Sequence, residues 1–197
     1  MPERRERVCG TLLAGGQSRR MGGGDKALRR LHGRPLLRHI IDRAAPQVDG
    51  LVINANGDPL RLAEFDLPVV GDVVEGYAGP LAGVLTGMTW AFETAPDCRW
   101  IATFACDAPF FPRDMVARLL SAVEREGADM ACAASEGRSH PVFGLWPVRL
   151  RDDLHTAMVR EEIRKVDAWT SRYRLATVSF EPIDTPAGPL DPFFNTN

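Results

Sequence analysis

The chain has 197 residues, of which 45% are hydrophobic and 25% charged, with a formal net charge of −2. That balance describes one ordinary globular domain, large enough to bury a core without metal or disulfide staples, and it excludes a disordered or fibrous chain. A near-neutral chain lacks the global basic field that duplex binding demands, so nucleic acid is not expected as a partner.

Four cysteines, Cys9, Cys98, Cys106 and Cys132, show no Cys-x-x-Cys spacing. Three of them sit in apolar runs where a reduced thiol packs as a small hydrophobe. The opening MPERRERVCG is charged, and no apolar stretch approaches the roughly 20 residues that span a bilayer. The expectation is a cytoplasmic protein without membrane contact.

In chain order, VCGTLLA (Val8 to Ala14) reads as a strand buried on both faces. It empties into LAGGQSRRMGGGDKAL (Leu13 to Leu28), which holds five glycines together with Arg19, Arg20 and Lys26. Glycines let backbone N–H groups approach a ligand closely, and phosphates are the usual beneficiary. The spelling fits neither Gly-x-x-x-x-Gly-Lys-Ser/Thr nor Gly-x-Gly-x-x-Gly followed by a strand-end acid, so this is a different and longer phosphate loop. Up to three cations here face the roughly four negative charges of a nucleoside triphosphate, with Mg²⁺ supplying most of the rest. A flexible surface loop with solvated basic residues is the plain alternative.

His32 in LHGRP marks a hairpin tip, and Pro35 opens a helix through Leu36, Leu37, Ile40, Ile41, Ala44 and Ala45 that Pro46 stops. GLVINAN (Gly50 to Asn56) and LPVVGD (Leu67 to Asp72) read as strands, then Leu81, Leu85, Met88 and Phe92 form a helical stripe. The strand WIATFACD (Trp100 to Asp107), a helix through Met115, Leu119, Leu120 and Val123 ending near Gly127, and the strand ADMACAA (Ala128 to Ala134) follow. Beyond Ser135 a weaker pattern gives a strand at HPVFGLWPV, a helix at RLRDDLHTAMV and a strand at RLATVSFEPI. This alternation predicts an α/β fold: a single domain with a doubly wound, mostly parallel sheet and helices on both faces.

In open α/β sheets, ligands bind beyond the carboxyl ends of the strands. Asn54 and Asn56 close one strand, Asp72 another and Asp107 a third, beside the glycine loop. Asp107 follows seven uncharged residues and precedes the turn APFFP, and a carboxylate there suits Mg²⁺, which takes one or two protein carboxylates plus substrate phosphates. A helix cap is the other reading of Asp107, but the helix begins several residues later. Asp72 is either a site acid or an incidental turn residue. Asn54 offers a donor and an acceptor to a base or ribose, or caps a turn. His140 in SHPVF precedes a proline, which favours a turn residue, with a ligand on the acceptor side as the alternative.

The stretch LAGGQSRRMGGGDKAL resembles the Leu-Ala-Gly-Gly-x-Ser-x-Arg-Met-Gly…Asp-Lys signature of nucleotidyltransferases, and within them the molybdenum cofactor guanylyltransferase family. VINAN, VVGD, GPLAG, CDAPF, SHPVFGLW and the closing FFNTN continue the likeness in order along nearly the whole chain. The resemblance implies a Rossmann-like nucleotidyltransferase fold that joins GTP to molybdopterin, or its molybdenum-loaded form, releases pyrophosphate and uses Mg²⁺. It places Leu13, Ala14, Gly15 and Gly16 on the nucleotide, Lys26 on its phosphates, and Asn54 and Asp72 at the base and sugar. Asp107 would meet both GTP and Mg²⁺, and Asn195 and Asn197 would lie near the metal and the acceptor phosphate. Arg20 occupies the signature position, and Arg19 a variable one. By the same likeness, residues 7–110 form a nucleotide half and 111–197 an acceptor half, with cofactor-biosynthesis or delivery proteins as further partners. Family members continue past the Asn-x-Asn pair into an Asn-Thr-Pro turn, whereas this sequence ends on Asn197. The alternatives are a cytidylyl or sugar-phosphate nucleotidyltransferase, which the doubled glycine of LAGG disfavours, and a non-catalytic nucleotide-binding protein.

Overall fold

A computed structural model describes residues 6–15, 26–76 and 79–196, excluding the side chain of Lys26. Its strands are β1 (Val8–Leu13), β2 (Arg30–Leu31), β3 (Arg34–Pro35), β4 (Gly50–Asn54), β5 (Val69–Val70), β6 (Trp100–Ala105), β7 (Met130–Ser135), β8 (Arg138–Pro147), β9 (Leu175–Ser179), β10 (Ile183–Thr185) and β11 (Gly188–Leu190). Its α-helices are α1 (Leu36–Ala44), α2 (Pro80–Thr94), α3 (Met115–Glu126), α4 (Arg151–Val159) and α5 (Val166–Thr170).

Seven strands form one sheet in the order β5-β4-β1-β6-β8-β7-β9, and all neighbours pair in parallel except those of β8. Side-chain alternation along the strands divides the core in two. Leu12, Ile53 and Phe104 pack with α1 and α3 on one face, while Cys9, Ile101 and Trp146 pack with α2, α4 and α5 on the other. Both faces are covered, which is why the strands read as continuous apolar runs. All four cysteines are buried free thiols.

On the second face, α2 contributes no side chain at two places, where strand side chains press directly against its backbone. An added Cβ at Gly83 would lie 2.4 Å from Leu13 Cδ2 and 2.7 Å from Asn54 Oδ1, and one at Gly87 would lie 2.1 Å from Thr11 Oγ1. One helical turn apart, these glycines let α2 rest on the ends of β1 and β4 at Gly83 and on Thr11 of β1 and Ile101 of β6 at Gly87.

Several elements differ from the sequence expectation. The strand expected over LPVVGD shrinks to Val69–Val70, because β5 is an edge strand paired only with Ile53 and Asn54 of β4. Phe92 is 55% exposed rather than buried with Leu81, Leu85 and Met88, and the Arg151 guanidinium lies 3.8 Å from its ring centroid. The strand expected over RLATVSFEPI ends at Ser179; Phe180 turns into the core, and Ile183–Thr185 pairs with β11 instead of the main sheet. The strand expected at HPVFGLWPV is present and starts two residues earlier, so His140 is not a turn residue: it pairs with Ala133 inside β8, and Pro141 follows it in the stretch where the β7–β8 register shifts and no ladder N–H is needed. His32 does sit at a hairpin tip, with φ 49° between β2 and β3.

Candidate active site

Register brings the carboxyl ends of four strands out level. Leu13 pairs with Asn54 on one side and Ala105 on the other, and Asn54 pairs with Val70. Two residues beyond that row lie Gly15, Asn56, Asp72 and Asp107. These line a cleft of about 630 Å³, together with Leu13, Asn54, Gly83 and Asn195. The chain runs from β1 outward to β4 and β5, then returns to β6 on the other flank of β1, so the cleft opens at the topological switch point of the sheet.

Asp72 is held by a polar clamp. Asn54 Nδ2 donates to its Oδ1 at 2.9 Å, Asn56 Nδ2 to its Oδ2 at 2.8 Å, and the Asp72 N–H donates back to Asn56 Oδ1 at 2.8 Å. The carboxylate accepts only, so both amides are fixed with nitrogen toward Asp72. Asn54 is 3% exposed, and its amide nitrogen is taken by Asp72 and the Val70 carbonyl. Asn56, by contrast, is exposed.

Asp107 is reached from the far end of the chain. Asn195 Nδ2 donates to Asp107 Oδ2 at 2.7 Å, and Thr196 donates through N and Oγ1 to the Asp107 carbonyl at 2.8 and 3.0 Å. No cap role competes for this carboxylate, since α3 starts at Met115. Among the described residues no donor reaches Asp107 Oδ1, which leaves that oxygen and the Asn195 amide oxygen for a ligand. An all-oxygen set with one carboxylate fits Mg²⁺, which keeps waters and substrate phosphates for its other positions. It does not fit a zinc cage, and among the described residues no group of three or more His, Cys, Asp and Glu converges.

Of the expected site residues, Leu13, Gly15, Asn54, Asp72, Asp107 and Asn195 line this cleft, while Ala14, between two of them, packs against the core. Gly16, Arg20, the Lys26 side chain and Asn197 lie outside the described residues, as does Arg19. Two contributors had no place in the sequence reading of the site, Gly83 as the floor under Asn54 and Glu75 on the wall, and a third, Asn56, was read there without its role as the second half of the Asp72 clamp. Asn56 was legible, two residues from Asn54 and closing the same run. Gly83 was not, because its role lies in a helix–strand contact. An added Cβ at Gly15 would lie 3.7 Å from Asn54 Oδ1, ordinary contact, so the protein itself leaves room there.

Described charges on the cleft wall are all acidic: Asp72, Glu75 and Asp107. Polyphosphate can enter such a wall only if cations accompany it. His140 lies behind the rim, where burial lowers its pKa against the opposing pull of Asp191.

A mostly parallel sheet with convergent polar groups at its switch point defines a doubly wound α/β domain with a ligand cleft at its strand ends. The chain belongs to the family of the MobA-like NTP transferase domain, whose model matches residues 10–175. It is 55% identical over 190 residues to a molybdenum cofactor guanylyltransferase of Bradyrhizobium sp. (strain ORS 278), covering 96% of this chain and 87% of that one. The fold also matches molybdopterin-guanine dinucleotide biosynthesis protein A from Archaeoglobus fulgidus, with a TM-score of 0.66 at 19% identity over 87% of this chain and 83% of that one. A second match is 4-diphosphocytidyl-2C-methyl-D-erythritol synthase from Anaerococcus prevotii, with a TM-score of 0.71 at 9% identity over 98% and 91%. The chain is a nucleotidyltransferase, and among the described residues no helix is long and apolar enough to cross a membrane.

Proposed function

We propose that this chain transfers GMP from GTP to molybdopterin or its molybdenum-loaded form, releasing pyrophosphate and forming the guanine dinucleotide cofactor. The observation that carries the reading is the level row of Gly15, Asn56, Asp72 and Asp107 at the sheet's switch point, in a chain 55% identical to a guanylyltransferase. A terminal phosphate oxygen of the acceptor attacks the α-phosphorus of GTP, and the bond from that phosphorus to the α,β-bridging oxygen breaks, its electron pair leaving with pyrophosphate. Two anions must meet, so catalysis is mostly positioning and charge neutralisation, with no covalent enzyme intermediate.

Asp72, held rigid by Asn54 and Asn56, offers its carboxylate to the nucleoside end, and Leu13, Ala14, Gly15 and Gly16 present backbone to the nucleotide. Lys26 and Arg20 offset charge on the triphosphate and the departing pyrophosphate, which the acidic wall alone cannot do. Asp107, with the Asn195 oxygen and with Asn197, would hold Mg²⁺, which would supply charge neutralisation to the reacting phosphates. Residues 7–110 form the nucleotide half, and 111–197 the acceptor half.

Incubation with labelled GTP, Mg²⁺ and molybdopterin should yield the dinucleotide and pyrophosphate, with GTP outcompeting CTP, UTP and ATP. Preference for CTP would overturn the guanine assignment. GTP binding without pyrophosphate release would instead mark a non-catalytic binding protein.

A further inference from the structure

Ser135, the last residue of β7, is buried, and its single hydroxyl meets two partners. Asp191 Oδ1 lies 2.7 Å away and His140 Nε2 2.6 Å away. The Asp191 carboxylate accepts only, so the one hydroxyl proton goes to it, and His140 must then carry its proton on Nε2 and donate to the serine oxygen. The network runs in one direction, from His140 through Ser135 to Asp191.

What this chain of bonds holds is the segment after β11. The same Asp191 oxygen accepts the Phe193 N–H at 3.0 Å. Phe193 is 5% exposed, with its ring centroid 4.6 Å from that of His140, 4.8 Å from Phe143 and 5.5 Å from Phe180. Two residues further on, Asn195 and Thr196 reach Asp107. Asn195 is itself exposed, and hydrogen bonds in solvent return little against the entropy of ordering a strand-free segment. The buried anchor supplies what the rim contacts lack.

We propose that His140, Ser135 and Asp191 are positioning residues: a latch that fixes the segment after β11 so that Asn195 is presented to Asp107. The kinetic part of this inference rests on the guanylyl-transfer reading; its structural part does not. His140 thereby acts through Asn195, without touching the reacting atoms.

The test is amide hydrogen exchange in the full chain, followed by metal titration. His140→Phe keeps a ring against Phe193 and loses the donor, Ser135→Ala loses the relay hydroxyl, and His140→Gln returns a side-chain N–H. The Thr196 amide, bonded to the Asp107 carbonyl, is expected to exchange about tenfold or more faster in His140→Phe and Ser135→Ala, with the amides of β1 and β6 unchanged and His140→Gln close to wild type. Mn²⁺ binding in the presence of GTP, read by electron paramagnetic resonance, should weaken about tenfold in the two loss variants while the KM for GTP stays within about twofold. Undiminished Thr196 protection in both would overturn the latch, as would a loss that His140→Gln fails to restore. If His140→Phe does not fold, Ser135→Ala carries the same comparison. Faster Thr196 exchange in a protein that makes no dinucleotide would uphold the latch and sink only the reaction.

Discussion

The two ends of the sheet carry cavities of similar size and opposite character. At the carboxyl end, about 630 Å³ is lined by amides and carboxylates, and among them Asp107 Oδ1 and the Asn195 amide oxygen meet no described donor. At the amino end, about 580 Å³ is walled by Phe92, Trp100, Pro147 and Val148, with three guanidinium groups around it. Those cations are already answered: Arg99 lies 3.9 Å from Glu6, Arg149 2.5 Å from Asp129, and Arg151 2.8 Å from Asp152. Volume therefore does not distinguish the working end. Uncompensated, converging polarity does.

The sharpest way to break this contrast is Asp107→Ala, which removes the one rim carboxylate bonded to Asn195. Guanylyl transfer should fall by roughly three orders of magnitude or more, with the melting temperature changed by only a few degrees. Turnover and a thermal melt check both halves, and near-normal turnover would remove Asp107 from the metal role.

A smaller effect is expected beneath the same rim. In a solvent-exposed helix, Gly→Ala stabilises by up to about 1 kcal/mol, but an alanine at Gly83 meets Leu13 and Asn54 at 2.4 and 2.7 Å. The substitution should cost about 1–3 kcal/mol, lower the melting temperature by several degrees and raise the KM for GTP through a displaced Asn54 and Asp72.

At the amino end, Arg151→Ala removes the cation over Phe92. It should cost no more than about 1 kcal/mol by thermal melt and leave turnover unchanged, because that end has no part in the chemistry. A comparable loss of turnover there would erase the distinction between the two ends.

Much of this was legible in the sequence, and for stated reasons. Strands buried on both faces read as apolar runs, so β1, β4, β6 and β7 were plain, and polar residues that stop such runs marked the rim at Asn54, Asp72 and Asp107. What escaped depends on contacts between distant segments. Phe92 keeps the period of its helix, but its turn overhangs the core. The Asn195–Asp107 contact joins residues 88 positions apart, which the motif likeness anticipated and periodicity could not. The Ser135–His140–Asp191 network was illegible because it joins the end of one strand to the start of the next and to a residue 56 positions beyond Ser135, which neither spacing nor motif marks.

At Gly83 and Gly87 the backbone of α2 lies directly on the side chains of Leu13, Asn54, Thr11 and Ile101, so the helix is fitted to three strands without a side chain's width of slack. Bulk added at Gly83 would therefore be felt in the cleft as well as in the helix, because the atoms it meets are those of Leu13 and Asn54, which line that cleft.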